Sequence, residues 1–154
     1  MFNNKYVSFT LIVLITFSAS AMGGVVTSVY KEPWYSQIIQ PSFSPPSWVF
    51  GPVWTTLYVL MSMAVWTHWV NFKEKKILAI YFTHIFFNAI WSIIFFGFHQ
   101  IFLALLNLLI ILIFIIWLMK IYYKSNKLSF LLMTPYLLWS SYALILNANI
   151  YYLN

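Results

Sequence analysis

The side chains able to do acid–base or metal chemistry are few in this sequence. Its only carboxylates are Glu32 and Glu74, each beside a lysine, and it contains no aspartate and no cysteine. Carboxylate dyads, carboxylate-held metals, acidic proton relays, thiolate nucleophiles and disulfides therefore have no residues to build them. Three histidines remain, His68, His84 and His99. None has a second nitrogen ligand at i+3 or i+4, so no metal site is expected. His84, inside an apolar run, is expected to make an interhelical hydrogen bond rather than to hold a metal or a haem iron. Phosphate-cradling glycine loops and paired-cysteine motifs are absent too. What the chain has in abundance is aromatic surface: eight tryptophans, eleven tyrosines and fifteen phenylalanines in 154 residues. Their chemistry is stacking on a flat apolar partner, oriented by a few polar groups.

Spacing decides which of these groups can meet. Trp54, Tyr58, Met61 and Val65 follow i, i+4, i+7, i+11, which is one face of a helix. His84, Asn88, Trp91 and Phe95 repeat the pattern, as do Trp139, Ala143, Leu146 and Ile150, with Asn147 next to that stripe. Large aromatics on a stripe ordinarily fill a bundle core or face lipid. Depth argues for more: at about 1.5 Å of rise per residue, Trp54, Asn88, Trp91, Ala143 and Asn147 lie roughly 8 to 14 Å below one membrane face, with Trp139 somewhat deeper. Interfacial tryptophans sit at headgroup level, which suits Trp34 and Trp48 at that face and Trp66, Trp69 and Trp117 toward the other. Amides in hydrocarbon need partners, so Asn88, Asn147 and Asn107 must face protein, water or a ligand. An aromatic cavity in one leaflet, furnished with a few amides, is the economical arrangement.

The elements that must position these residues are long apolar helices. The chain is 63% hydrophobic and only 6% charged, which places it in a bilayer. Runs of about 20 apolar residues predict an all-α membrane protein, a single five-helix bundle with spans over residues 6–29, 46–72, 77–97, 101–122 and 128–152. All eight cations are lysines: Lys5, Lys73, Lys75, Lys76, Lys120, Lys124 and Lys127 fall at one end of these spans and Lys31 alone at the other. By the positive-inside rule the N-terminus is expected in the cytoplasm and the C-terminus outside. The net charge of +6 is then explained by orientation and attraction to anionic lipid, so the lipid bilayer is the expected partner and nucleic acid is not. A second reading of the first run takes Lys5, the apolar stretch and SASAMGG as a cleaved signal peptide, but the apolar stretch is long for one. The proline-rich loop over residues 30–45 is expected to be braced over the cavity, with Ser44 as N-cap and Pro45 in the first turn of the second span. Pro52 and Pro135, inside the second and fifth spans, are expected to free the carbonyls of Trp48 and Leu131 and to permit kinks.

WYSQIIQPSFSPPSWVFGPVWTTLYVLMSMAVW (34–66), FNAIWSIIFFG (87–97) and PYLLWSSYALILNANIYYLN (135–154) resemble the tryptophan-rich sensory protein or translocator protein family, also called the peripheral-type benzodiazepine receptor. The likeness covers essentially the whole chain. It implies a five-helix bundle, commonly a homodimer, with no resident cofactor and a pocket beneath the first loop that binds porphyrins such as protoporphyrin IX and benzodiazepine-type or isoquinoline ligands. Carried over by motif, the implied pocket residues are Trp54, Tyr58, Asn88, Trp91, Trp139, Ala143 and Asn147. Family members have been proposed to degrade photoexcited protoporphyrin, a role that would fall to Trp54 and Trp139. The expected role is thus a receptor or carrier for porphyrin or another hydrophobic small molecule, in tetrapyrrole transport or sensing. The alternatives are light-dependent porphyrin degradation and an interaction protein that regulates other membrane machinery. The last has only the small-xxx-small spacing of Ala79 and Thr83 behind it. Three departures stand out: Phe43 replaces the first tryptophan of the loop motif, Ser62 replaces a usual glycine, and Asn107 stands at a position acidic in many relatives. Mammalian relatives bind cholesterol, but here no cation follows Leu146 and Tyr151, so cholesterol transport is not expected. Lysine without arginine, together with that missing cation, leans toward a bacterial inner membrane, with the mitochondrial outer membrane as the alternative.

Overall fold

The computed structural model describes residues 4–154. The apolar runs fold as α1 (Lys5–Tyr30), α3 (Ser47–Phe72), α4 (Lys75–Ser92), α5 (Ile101–Ser125) and α6 (Lys127–Leu153), with a one-turn α2 (Trp34–Gln37) in the first loop. A π-helical turn, Ile93–Gly97, continues α4. Five of these units, taking α4 with its π-turn, are long and apolar enough to cross a membrane. Local chemistry sets several ends. Asn4 and Asn126 each accept two backbone N–H groups through their side chains, capping α1 and α6. Lys73 takes a left-handed conformation and closes α3 with a bond from its N–H to the Trp69 carbonyl.

One boundary departs from expectation. Ser44 does not cap α3; its N–H donates to the Pro41 carbonyl in a turn at 2.9 Å, and the helix starts at Ser47 with Pro46 before it. The reason is steric: Pro45 precedes another proline, and a residue before proline is pushed out of the helical region. Pro52 and Pro135 do lie inside helices α3 and α6.

Helix contacts run α1–α3–α6–α5–α4 and back to α1, closing a ring. The core is dense toward the lysine-rich end, where Ile115, Leu118, Tyr122 and Met133 are fully enclosed. Several polar side chains in the bundle pair with one another or with backbone, though the buried Tyr122 hydroxyl has no hydrogen-bond partner among the described residues. Ser129 donates to the Ala64 carbonyl at 2.7 Å and lies 2.9 Å from the Thr67 hydroxyl, binding α6 to α3. Thr16 and Tyr81 join α1 to α4 at 2.8 Å. Nearer the other end, Asn107 donates to the Phe87 carbonyl at 2.9 Å, joining α5 to α4. Of the tryptophans expected at headgroup level, Trp48 and Trp117 are exposed, but Trp69 is buried. Its helical face points at the bundle interior, and lysine proximity alone did not define that face.

Candidate functional site

At the opposite end of the ring the helices part around a cavity of about 480 Å³. Helical period explains its walls. Trp54 and Tyr58 come from α3, Asn88 and Trp91 from α4, and Trp139, Ala143 and Asn147 from α6, so all seven sequence-predicted residues line the same space. The π-turn adds adjacent Phe95 and Phe96 to the lining. Trp91 stacks on Phe95 with ring centroids 4.9 Å apart, and Phe96 meets Trp91 edge-on at 5.9 Å. Across the cavity, Phe50 packs edge-on against Trp139 at 6.0 Å.

The two amides expected to orient a ligand differ in availability. Asn88 is fully engaged: its Oδ1 accepts from the Tyr58 hydroxyl and its Nδ2 donates to the Tyr136 hydroxyl at 2.9 Å. Tyr136 in turn lies 2.7 Å from His84 Nε2. That contact joins α4 to α6 through the Tyr136 hydroxyl. His84 therefore makes the interhelical bond expected of it. Asn147 is only half used. Its Nδ2 donates to the Ile101 carbonyl at 3.2 Å, which fixes the amide's orientation, and its buried Oδ1 finds no partner among the described residues. The indole N–H groups of Trp91 and Trp139 are likewise buried and without a partner. Two indole donors, the Ser140 hydroxyl and the Asn147 acceptor are thus left unpaired around the chamber, a pattern that favours an amphipathic occupant.

The wall built by α1 was not foreseen. α1 contributes Ser20, Gly23, Gly24 and Thr27, a strip of small residues three to four apart. A Cβ on Gly23 would stand 3.1 Å from Ser92 Oγ, so glycine lets α1 approach α4 closely; Gly24 faces open space. Lys31, Ser47 and buried Ser140 are among the other lining residues missed from sequence. Spacing of the small residues was the available signal, but without an aromatic it resembles any helix contact.

The loop closes the top as a structured cap. Trp34 stacks on His99 at 4.4 Å and meets Phe95 edge-on at 5.3 Å. Tyr35 lines the cavity and packs on Phe96 at 5.6 Å. Burial, reinforced by Tyr142 and Glu32, pushes the Tyr35 phenol above its ordinary pKa, so it stays neutral at physiological pH. Asn154 clasps the far side, accepting from the Ile39 N–H at 2.8 Å and donating to its carbonyl at 3.1 Å. Tyr142 donates to the Phe43 carbonyl at 2.8 Å.

Fold and site together define an all-helical membrane protein with a capped aromatic cavity. A model of the TspO/MBR family matches residues 10–153, and the chain belongs to that family. It is 34% identical over 144 residues to the tryptophan-rich protein TspO of Archaeoglobus fulgidus, covering 92% of this chain and 94% of the relative. It is 31% identical over 135 residues to the tryptophan-rich sensory protein of Cereibacter sphaeroides, covering 86% and 85%. With the human translocator protein it shares 37% identity over 119 residues, covering 74% and 70%.

Proposed function

We propose that this protein is a five-span membrane receptor or carrier that binds porphyrins of the protoporphyrin IX type, and also benzodiazepine-type or isoquinoline ligands, in the capped cavity. The observation that carries the reading is the convergence of Trp54, Trp91 and Trp139, from three helices, on one chamber. Its volume falls in the range of sites that enclose a drug-sized molecule. A flat macrocycle buried there removes several hundred Å² of apolar surface from water, which at about 25 cal/mol per Å² supports micromolar affinity after association costs. Asn88 serves as a brace for Tyr58 and Tyr136, while Asn147 and the two indoles meet the ligand's polar atoms. The lysine-rich end faces the cytoplasm of a bacterium, the cavity opens toward the outer leaflet, and the protein works as a homodimer in sensing or moving tetrapyrroles.

Quenching of intrinsic fluorescence by protoporphyrin IX tests this directly. Affinity should fall in Trp54→Ala and Trp139→Ala and persist in Trp117→Ala, whose indole is exposed on α5 away from the cavity. Equal affinity in all three variants rules out the chamber as the site. Light-dependent breakdown of the bound porphyrin by dioxygen is the second reading. Trp54 favours it by lying 5.7 Å from Tyr58 and 6.2 Å from Tyr136, so an oxidised indole has aromatic neighbours. Bleaching of the porphyrin under illumination that disappears in Trp54→Phe would establish it; bleaching equal to that of free porphyrin excludes it.

A further inference from the structure

The cavity's polar groups are neutral except at its mouth. Among the described residues Lys31 is the only cation lining it and Glu32 the only anion. Lys31 follows the last turn of α1, and its ammonium donates to the Ser47 hydroxyl of α3 at 3.1 Å. The same nitrogen lies 3.6 Å from Glu32 Oε1 and 5.3 Å from the centre of the Tyr35 ring. All four side chains line the cavity. Their exposures differ in a telling way: the Lys31 side chain is 24% exposed, against 57% for Glu32. The ammonium is held by the serine and lies against the ring, whereas the carboxylate beside it is the more exposed partner. Every other described lysine sits at the far end of the bundle.

Resting on the reading of the cavity as a porphyrin site, the geometry points to Lys31 as the anchor for a carboxylate of the ligand, with Glu32 as the carboxylate that competes for the same ammonium. The apolar disc then enters the aromatic chamber, and its acidic edge stops at the mouth. Chemical selectivity follows: the site takes flat apolar molecules that carry an acid on one edge in preference to the same molecules esterified. Because the pair is partly solvated, the preference is modest, roughly 3- to 10-fold.

The test compares protoporphyrin IX with its dimethyl ester by fluorescence quenching of the full chain in a non-ionic detergent. The unaltered protein should bind the acid several-fold more tightly. Lys31→Gln should weaken the acid alone and abolish the difference, Lys31→Arg should keep it, and Glu32→Gln should widen it by about 2- to 5-fold. Equal loss of acid and ester in Lys31→Gln, or no acid preference in the unaltered protein, overturns the assignment. Trp139→Ala separates the two readings. If it weakens both compounds while Lys31→Gln leaves the preference intact, the chamber stands and the anchor falls; if it affects neither, the chamber itself is wrong and the anchor falls with it.

Discussion

The two ends of this bundle are built from the same five long helices, yet one is packed and the other encloses a chamber. Near the lysines, hydroxyls reach across helices, as in Thr67–Ser129 and Ser129–Ala64, and Ile115, Leu118 and Met133 are fully enclosed, while the buried Tyr122 hydroxyl has no hydrogen-bond partner among the described residues. Near the cap, the helices part and buried donors and an acceptor on Trp91, Trp139 and Asn147 are left over. An unmade hydrogen bond in an apolar interior costs about 1–3 kcal/mol; at the cap end the unpaired groups border open space that an occupant can fill, whereas Tyr122 is enclosed by side chains. The packed end keeps the order of the molecule, and the chambered end keeps its chemistry. Substitutions at one end should change unfolding, and substitutions at the other should change binding.

The largest expected effect lies at the packed end. Leu118 is fully buried on α5, and Leu118→Ala should lower resistance to unfolding by about 2–5 kcal/mol through the cavity it leaves. Porphyrin affinity per folded molecule, measured in the same detergent, should not move. A matching fall in affinity would merge the two ends into one cooperative unit. Next comes a substitution that should do the reverse. Gly24 faces open space in the chamber, so Gly24→Leu should fill it and weaken ligand binding at least about 10-fold. Unfolding should be unchanged or harder by up to about 1 kcal/mol, since glycine is a poor helix former. Normal binding by that variant places the ligand elsewhere.

The contrast between the ends was only partly legible in the sequence. Apolar run length is a local property, and a bilayer demands it, so the five long helices could be read directly. Periodicity then put Trp54 with Tyr58, Asn88 with Trp91, and Trp139 with Ala143 on shared faces, and depth brought those faces to one level. Properties that arise only when helices meet were hidden. Asn88 has no free polar atom because Tyr136 arrives from α6, and nothing in the α4 sequence encodes that. The small residues of α1 became a wall only once α1 stood against α3 and α4. Trp69 reads as an interfacial residue by its distance from lysine, and its burial depends on which way α3 is rotated. The start of α3 was missed for a local reason, the restriction that Pro46 places on Pro45.

Tyr136 bridges the two regimes, because it lies in the packed core yet holds Asn88 at the cavity wall. Tyr136→Phe removes an acceptor from Asn88 Nδ2 and the hydrogen-bond partner of His84 Nε2, and should cost about 1–3 kcal/mol of stability. Affinity should fall only a few-fold, because Asn88 keeps Tyr58. Thermal unfolding and porphyrin titration on one preparation check both values. A loss of binding larger than the loss of stability would make this network part of the ligand site rather than its support.

The smallest effect concerns the cap, and it should be kinetic. Asn154 holds Ile39 by two hydrogen bonds at the exposed edge of the bundle. In water each such bond contributes only about 0.5–1.5 kcal/mol net, and the apolar packing of Trp34 and Tyr35 on Phe95 and Phe96 still holds the other side of the loop. Asn154→Ala should therefore leave unfolding within about 0.5 kcal/mol of the parent. A loosened cap opens more often, so both association and release of porphyrin should speed up by a few-fold while the equilibrium constant stays nearly fixed. Stopped-flow quenching resolves the two rates. Faster release with unchanged association would mean that the loop contacts the ligand and stabilises it. Unchanged rates would mean that the ligand reaches the chamber by a path that does not cross the cap, between helices from the bilayer.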